Sequence, residues 1–331
     1  MPSTPSSLTD KVRTFALDGA TASAAFLRGT CVFIAETGTA TLVADTPRTL
    51  ALHDGVVLCA AGDGQRLVTG GDDGKVMELL AGGETKTIAA HKGRWIDRIA
   101  LGPDGSVAFS AGKTAHLVPA KGEARRFEAP STVGGLAFAP KGLRVAVAHY
   151  GGVSLWYPNA ADAKPELLEW KGSHLGVAFS PDGRFIITTM QEPALHGWRL
   201  ADGAHMRMTG YPARVKSFEF THDGKWLASS GSTEVVLWPF ATKDGPIGKQ
   251  PSMQAPSASG GRVTMVACHP KDPVMACGYD DGMVLMVRLT DGAEILLRAP
   301  DASPVSAIGW RKDGGAVAFG TTGGSAGLLE F

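Results

Sequence analysis

A short turn motif recurs along the whole chain, and its spacing restricts the folds that the sequence can adopt. The clearest copy is the segment AFSPDGRFI at 178–186, in which a Pro-Asp-Gly turn separates two apolar runs. Related segments occur throughout the chain, with their turn residues at positions 29, 64, 105, 142, 183, 224, 272 and 314. A spacing of about forty residues is typical of architectures built from one repeated supersecondary unit.

Each copy of the motif has the same internal order of segments. In the copy at 174–209, an apolar run leads into the turn, a second run leaves it, and a third and a more polar fourth run follow. Short runs bounded by Gly, Pro and Asp predict strands rather than helices. Four strands per copy predict one blade of a β-propeller. We therefore expect an all-β fold, a single β-propeller of four-stranded antiparallel blades, with eight blades favoured and seven as the alternative.

The two ends of the sequence complement each other. The last copy reaches residue 331 with its third strand, SAGLLEF, whereas the strand-like segment KVRTFAL at 11–17 has no copy of its own. We expect this N-terminal strand to supply the outer strand of the last blade, because closing the ring removes an exposed sheet edge. The predicted organisation is a disordered N-terminus at 1–10 and one propeller domain at 11–331, with an inserted loop at 241–261.

Composition and charge narrow the functional classes. The 32 basic and 32 acidic side chains balance, which gives no electrostatic reason to expect nucleic acid or an acidic membrane surface as a partner. The N-terminal sequence lacks the apolar core of a signal peptide, and no apolar run is long enough to span a membrane, so we expect a cytoplasmic protein. Four scattered cysteines do not predict a disulfide framework.

The repeat resembles that of the WD40-repeat family. The shared features are the SPDG-like turn and a tryptophan near the end of the third strand, at Trp156, Trp198 and Trp238. The family's Asp after that tryptophan is replaced here, and its Gly-His pair before the first strand survives only as His53, His91 and His174. For this reason we do not expect the family's buried Ser/Thr–His–Asp–Trp network. The resemblance implies a non-catalytic scaffold that presents one face of the propeller to a protein or peptide.

Several motifs that suggest chemistry lack the surroundings that the chemistry needs. GGSAG at 323–327 fits a nucleophile pattern, but a turn between strands replaces the required strand–Ser–helix arrangement. GGDDGK at 70–75 fits neither the phosphate-loop nor the calcium-loop spacing. Cys268, His269 and Cys277 lack the ligand spacing of a zinc site, and Cys268 aligns with apolar residues of the other copies. We therefore predict no catalytic residue, no metal and no cofactor.

The loops that enter the first strands and the turns between second and third strands would surround the mouth of the central channel. These segments are rich in Arg, Trp and Tyr, the residue types enriched in binding hot spots. The residues predicted to bind a partner are Arg94, Trp95, Tyr150, Trp170, His174, Tyr211, Arg214, Arg262 and Tyr279. The opposite face would carry mostly short Pro-Asp-Gly turns.

Two alternatives to this scaffold remain open. One is a propeller enzyme or small-ligand binder that uses the channel mouth, with a metal held by His53, His91 and His174. The other is a periplasmic propeller resembling the translocation protein TolB family, whose repeats also use SPDG-type turns. We expect a monomer that binds a protein or peptide, with no nucleic acid and no membrane insertion.

Overall fold

The computed structural model describes residues 6–160, 164–257 and 259–331, and the fold is all-β. The chain forms two compact units. The first unit comprises the chain up to Ala51 together with Val215–Phe331, and the second unit comprises Leu52–Arg214. A single 3-10 turn, Thr9–Lys11, is the one helical element in the described ranges.

The strands of the first unit before Ala51 are β1 (Ser6–Ser7), β2 (Arg13–Ala16), β3 (Thr21–Leu27), β4 (Thr30–Ala35), β5 (Thr39–Val43) and β6 (Arg48–Ala51). The strands of the second unit are β7 (Val57–Gly62), β8 (Arg66–Gly71), β9 (Lys75–Leu80), β10 (Thr85–Ala90), β11 (Ile99–Leu101), β12 (Val107–Ala111), β13 (Thr114–Val118), β14 (Arg125–Glu128), β15 (Gly135–Phe138), β16 (Val145–Trp156), β17 (Glu166–Phe179), β18 (Phe185–Met190), β19 (Leu195–Arg199) and β20 (His205–Met208). The remaining strands of the first unit are β21 (Phe218–Phe220), β22 (Trp226–Ser229), β23 (Val235–Pro239), β24 (Ser252–Gln254), β25 (Val263–Cys268), β26 (Val274–Tyr279), β27 (Val284–Arg288), β28 (Glu294–Arg298), β29 (Val305–Trp310), β30 (Ala316–Thr321) and β31 (Ser325–Glu330).

These strands pair into seven sheets over the described residues, in the β-propeller arrangement that the repeat predicts. Five sheets have four strands, one gains β1 as a fifth strand, and one has six strands. The six-stranded sheet holds two consecutive copies of the repeat. Its first copy uses β15, β16 and the first half of β17, whereas the second half of β17 pairs with β18. The number of sheets matches the seven-blade alternative. The eight copies of the sequence motif fit into seven sheets because the six-stranded sheet holds two of them.

The Pro-Asp-Gly turns join the first and second strands as predicted. In the turn after β17, the Asp182 carboxylate accepts hydrogen bonds from the Ser180 hydroxyl at 2.6 Å and from the Arg184 N–H at 3.0 Å. Gly183 has a φ of 75°, a left-handed conformation that favours glycine. Asp182 therefore stabilises the turn through hydrogen bonds that its carboxylate accepts within the turn.

The predicted contribution of the N-terminal strand to the last blade is confirmed. Strand β2 pairs antiparallel with β31, from Arg13 opposite Leu328 to Ala16 opposite Ser325, and completes the sheet β2–β31–β30–β29. Phe15 packs on the core of this unit, with its ring centroid 5.7 Å from that of Phe33.

Two predicted segment boundaries differ from the structure. Within the N-terminus predicted to be disordered, residues 6–10 form β1, which pairs parallel with β28, and the start of the 3-10 turn, while residues 1–5 lie outside the described ranges. The contact of Leu8 with an apolar cluster explains this order, because it anchors an otherwise polar segment. The predicted insertion at 241–261 contains β24, which is the outer strand of its sheet, so the extra residues precede Ser252.

Candidate partner-binding surface

Antiparallel pairing brings two kinds of connection to the same end of each repeat. Ile99 at the start of β11 pairs with Phe109 in β12, and the turn that joins β12 to β13 follows directly after Ala111. The loop that enters the first strand and the turn between the second and third strands are therefore neighbours. We call this end of the second unit the loop face, which comprises residues 53–56, 72–74, 91–97, 112–113, 129–134, 149–152, 170–174, 191–194 and 211–214.

Consecutive repeats of the second unit place these loops side by side. The Cys59 thiol at the start of one repeat lies 3.3 Å from the carbonyl oxygen of Ile96, which enters the next repeat. The Arg98 guanidinium donates to the Gly134 carbonyl oxygen at 2.6 Å, one repeat further along. A Cβ on Gly134 would lie 2.0 Å from the His174 carbonyl oxygen, so glycine is required for this close approach. The loop face is thus a continuous surface within this unit.

Two aromatic side chains project from the loop face. Trp95 and Tyr150 are each 67% exposed, although their backbones are held by hydrogen bonds. The Ile96 N–H next to Trp95 donates to the Gly71 carbonyl oxygen at 3.1 Å, and the Tyr150 N–H donates to the Ser131 hydroxyl at 2.9 Å. Large apolar area on a fixed backbone suits a binding surface, because little conformational entropy is lost on association.

The other predicted residues of the second unit occupy different environments. Arg94 is exposed beside Trp95, and Arg214 is exposed and donates to the Gln191 side chain at 3.1 Å. Trp170 is half-buried and stacks on His196 at a centroid distance of 4.1 Å. The loop face therefore retains Arg94, Trp95, Tyr150 and Arg214 as accessible side chains, with Trp170 partly accessible.

Three predicted contact residues are buried, which corrects the sequence prediction for them. His174 is fully buried and bonded to the Thr188 hydroxyl at 2.8 Å and the Trp170 carbonyl oxygen at 3.0 Å. Tyr211 is 6% exposed. Tyr279 is fully buried in the first unit, where its hydroxyl donates to the Ala255 carbonyl oxygen at 2.5 Å. The polar ends of His174 and Tyr279 are paired within the fold, and a sequence pattern does not reveal such pairing.

Arg262 is exposed in the first unit, and its side chain is already paired. Its backbone N–H and its Nε donate to the two carboxylate oxygens of Asp280, at 2.8 and 3.3 Å. Arg262 and Tyr279 both belong to the first unit, so the loop face of the second unit does not include them.

A buried polar network that we did not expect is present in the repeat β7–β10. One ring nitrogen of His53 lies 3.0 Å from the Asp73 carboxylate, and the other lies 2.9 Å from the Thr69 hydroxyl. Burial raises the pKa of Asp73, but hydrogen bonds from Lys75, His53 and Asp54 outweigh it and hold the pKa below its usual value. This repeat therefore has the Thr, His and Asp of the family's network, which we did not expect, whereas Leu79 stands where other repeats have the tryptophan.

The histidines considered as metal ligands have structural roles instead. His53 and His174 are bonded as described, and His91 packs against His116 at a centroid distance of 4.5 Å. Among residues 6–160, 164–257 and 259–331, no three His, Cys, Asp or Glu side chains are grouped so that they could hold a metal ion. The same described ranges contain no helix that is long and apolar enough to cross a membrane.

A cavity in the first unit was not anticipated from the sequence. It has a volume of about 260 Å³ and lies beside the turns that join first to second strands, with Glu219, Cys268 and Trp310 among its lining residues. The sequence feature that could have indicated this cavity is Glu219, because the other well-preserved copies of the repeat have a small residue at the same position.

Comparison with known proteins agrees with this fold. The family model "WD domain, G-beta repeat" matches residues 45–77, which include the His53–Thr69–Asp73 network. Among solved structures, the crystal structure of the computationally designed Ika8 protein matches with a TM-score of 0.74 and 18% sequence identity, covering 96% of this chain and 98% of that one. No curated protein matches the sequence.

Proposed function

We propose that this chain, a WD40-type β-propeller, is a non-catalytic scaffold that binds a protein or peptide partner through the loop face of its second unit. The observation that carries the proposal is the pair Trp95 and Tyr150, each two-thirds exposed on loops whose backbones are fixed. Arg94, next to Trp95 in the sequence, and Arg214 are exposed and add hydrogen-bond donors to the same loop face. Aromatic and Arg side chains dominate the binding free energy of most protein interfaces.

The chemistry of the loop face favours binding over catalysis. Its buried histidine, His174, has a pKa lowered by desolvation and both ring nitrogens engaged, so it is not available as a general base. His53 is likewise bonded at both nitrogens. A cytoplasmic scaffold of this kind would act by holding its partner, and the partner would determine the pathway.

The test is quantitative capture of binding partners from the native cell by purified wild-type and variant proteins. The variants Trp95→Ala and Tyr150→Ala, alone and combined, are expected to reduce recovery of the same partner at least tenfold, which corresponds to about 1.4 kcal/mol. Removal of Arg94 is expected to weaken binding further.

The matched controls are Leu80→Ala and Leu167→Ala, which remove apolar side chains exposed to 41% and 45% outside the loop face. Both controls should recover the partner as the wild type does. Equal recovery of the partner by the Trp95→Ala/Tyr150→Ala protein and the wild type would show that the partner binds elsewhere.

A further inference from the structure

Glu219 departs from the pattern of the repeat in a way that the fold does not need. The residue directly before the last position of the first strand is alanine or glycine in the other well-preserved copies, namely Ala100, Ala137, Ala178, Ala267 and Gly309. Glu219 holds that position in β21. Departures from a local pattern of this kind concentrate at functional sites.

The neighbouring small residues leave room for the Glu219 side chain and for a ligand. Ala267 in β25 and Gly309 in β29 lie on the wall of the 260 Å³ cavity together with Glu219. Much of the remaining wall is apolar or aromatic, formed by Phe220, Pro270, Ile308 and Trp310. The volume is below that of a pocket for a drug-sized molecule, so the cavity suits one small group.

The Glu219 carboxylate has one protein partner in the described part of the chain. One oxygen accepts a hydrogen bond from the Cys268 N–H at 2.9 Å. Glu219 is an exposed residue where it lines the cavity, but the strands around its carboxyl partly desolvate that group and raise its pKa to about 7, against the weaker opposing effect of the Cys268 N–H. No cation among the described residues contributes to that pKa. An ionised carboxylate in such a cavity gains from a cation that enters it.

The other titratable groups around the cavity do not supply that cation. The His269 side chain is used by the fold, since one ring nitrogen lies 3.1 Å from the Gly314 carbonyl oxygen and the other accepts from the Asp272 N–H. Cys268 keeps its proton, because burial raises its thiol pKa. His222 and Lys312 line the cavity without an ion pair to Glu219, and nearby Asp223 is paired with Lys225.

From this arrangement we propose that the Glu219 cavity is a binding site for a small organic cation, an alkylammonium or alkylguanidinium group. The charged head would pair with the free carboxylate oxygen of Glu219, and the alkyl portion would lie against Phe220 and Trp310. Aromatic walls and a carboxylate together favour cations over neutral or anionic groups. This site lies in the first unit and is independent of the loop face proposed for partner binding.

The experiment measures binding of n-butylammonium and n-butylguanidinium by calorimetric titration of the full chain, with n-pentanol as the neutral probe. Saturable binding of at least one cation and none of n-pentanol is expected at pH 8.5, where Glu219 is ionised. At pH 5.5 the affinity should fall at least tenfold, because the carboxyl is then mostly protonated. Nα-acetyl-lysine amide, which keeps its side-chain ammonium, distinguishes the source of the cation. Binding of this probe would indicate that the natural ligand is a lysine side chain of a peptide, and its exclusion would indicate a free amine.

Two variants keep the test independent of folding. Glu219→Gln preserves the volume and should lose cation binding at both pH values, while its thermal midpoint stays at or above that of the wild type. Lys312→Ala should bind the cation as well as or better than the wild type, because it removes a like charge. Equal affinity of Glu219→Gln and the wild type, or no cation binding at pH 8.5, would overturn the proposal, and so would loss of binding in Lys312→Ala.

Discussion

At the scale of the residue, two carboxylates near the first strands of two consecutive repeats have different roles. Asp182 follows the first strand, where its bonds to Ser180 and Arg184 shape the turn. Glu219 lies within the first strand and faces a cavity. The first could be predicted from the sequence, because Pro-Asp-Gly turn chemistry is local. The second could be found only by comparing copies position by position, since its meaning depends on the small residues of neighbouring strands.

The pH dependence of stability should reveal Glu219 directly. The folded-state pKa of about 7 lies above the ordinary value of 4.5, so the folded state retains a proton that the unfolded state releases. Glu219 therefore lowers the free energy of unfolding as pH rises from about 4.5 to about 7. In urea titrations, the free energy of unfolding of Glu219→Gln should exceed that of the wild type by about 1 kcal/mol at pH 8 and should equal it at pH 4; the value at pH 8 is discounted for solvent screening because Glu219 is exposed. A constant difference across this range would contradict the assignment.

The His53 network should contribute to stability through its buried hydroxyl. Thr69→Val keeps the shape of the side chain but leaves one His53 ring nitrogen without its partner at 2.9 Å. An unsatisfied buried polar group costs about 1–3 kcal/mol, and the free energy of unfolding should fall by that amount at pH 7. Thr85→Val, on the exposed β10, is the control and should change stability little. An unchanged unfolding midpoint in Thr69→Val would mean that the network is energetically neutral.

At the scale of the element, the strand that comes from the other end of the chain completes the last sheet. Strand β2 covers an edge of β31 that would otherwise be open. The sequence predicted this pairing, because the strand-like segment at 11–17 belongs to no copy of the repeat and the last copy lacks its fourth strand. The sequence did not predict β1, since the polar residues Ser6 and Ser7 carry no strand pattern and pair through their backbone.

Removal of residues 1–17 should therefore destabilise the protein strongly. It deletes β2 together with the apolar contacts of Val12, Phe15 and Leu17, and it should lower the free energy of unfolding by about 4 kcal/mol. Removal of residues 1–7 deletes only β1 from the described elements, and the loss should be below about 1 kcal/mol. Chemical denaturation of both proteins measures the difference. Similar losses in the two would show that β2 does not support β31.

At the scale of the whole molecule, the repeat determines the fold, and departures from the repeat indicate function. Spacing and turn chemistry predicted strands, sheets and the placement of loops, because each depends on a few neighbouring residues. The accessibility of individual loop residues could not be predicted in the same way. His174, Tyr211 and Tyr279 lie in the same kinds of segment as Trp95 and Tyr150, yet the first three are buried and the last two are exposed.

Amide hydrogen exchange of the captured complex tests the central claim most directly. With the partner bound, exchange should slow at 91–97 and 149–152, around the exposed Trp95 and Tyr150 of the loop face. Exchange should be unchanged at the turns 222–225 and 270–273 of the first unit. Protection of those turns, with unchanged exchange around Trp95 and Tyr150, would contradict the assignment of the loop face as the partner-binding surface.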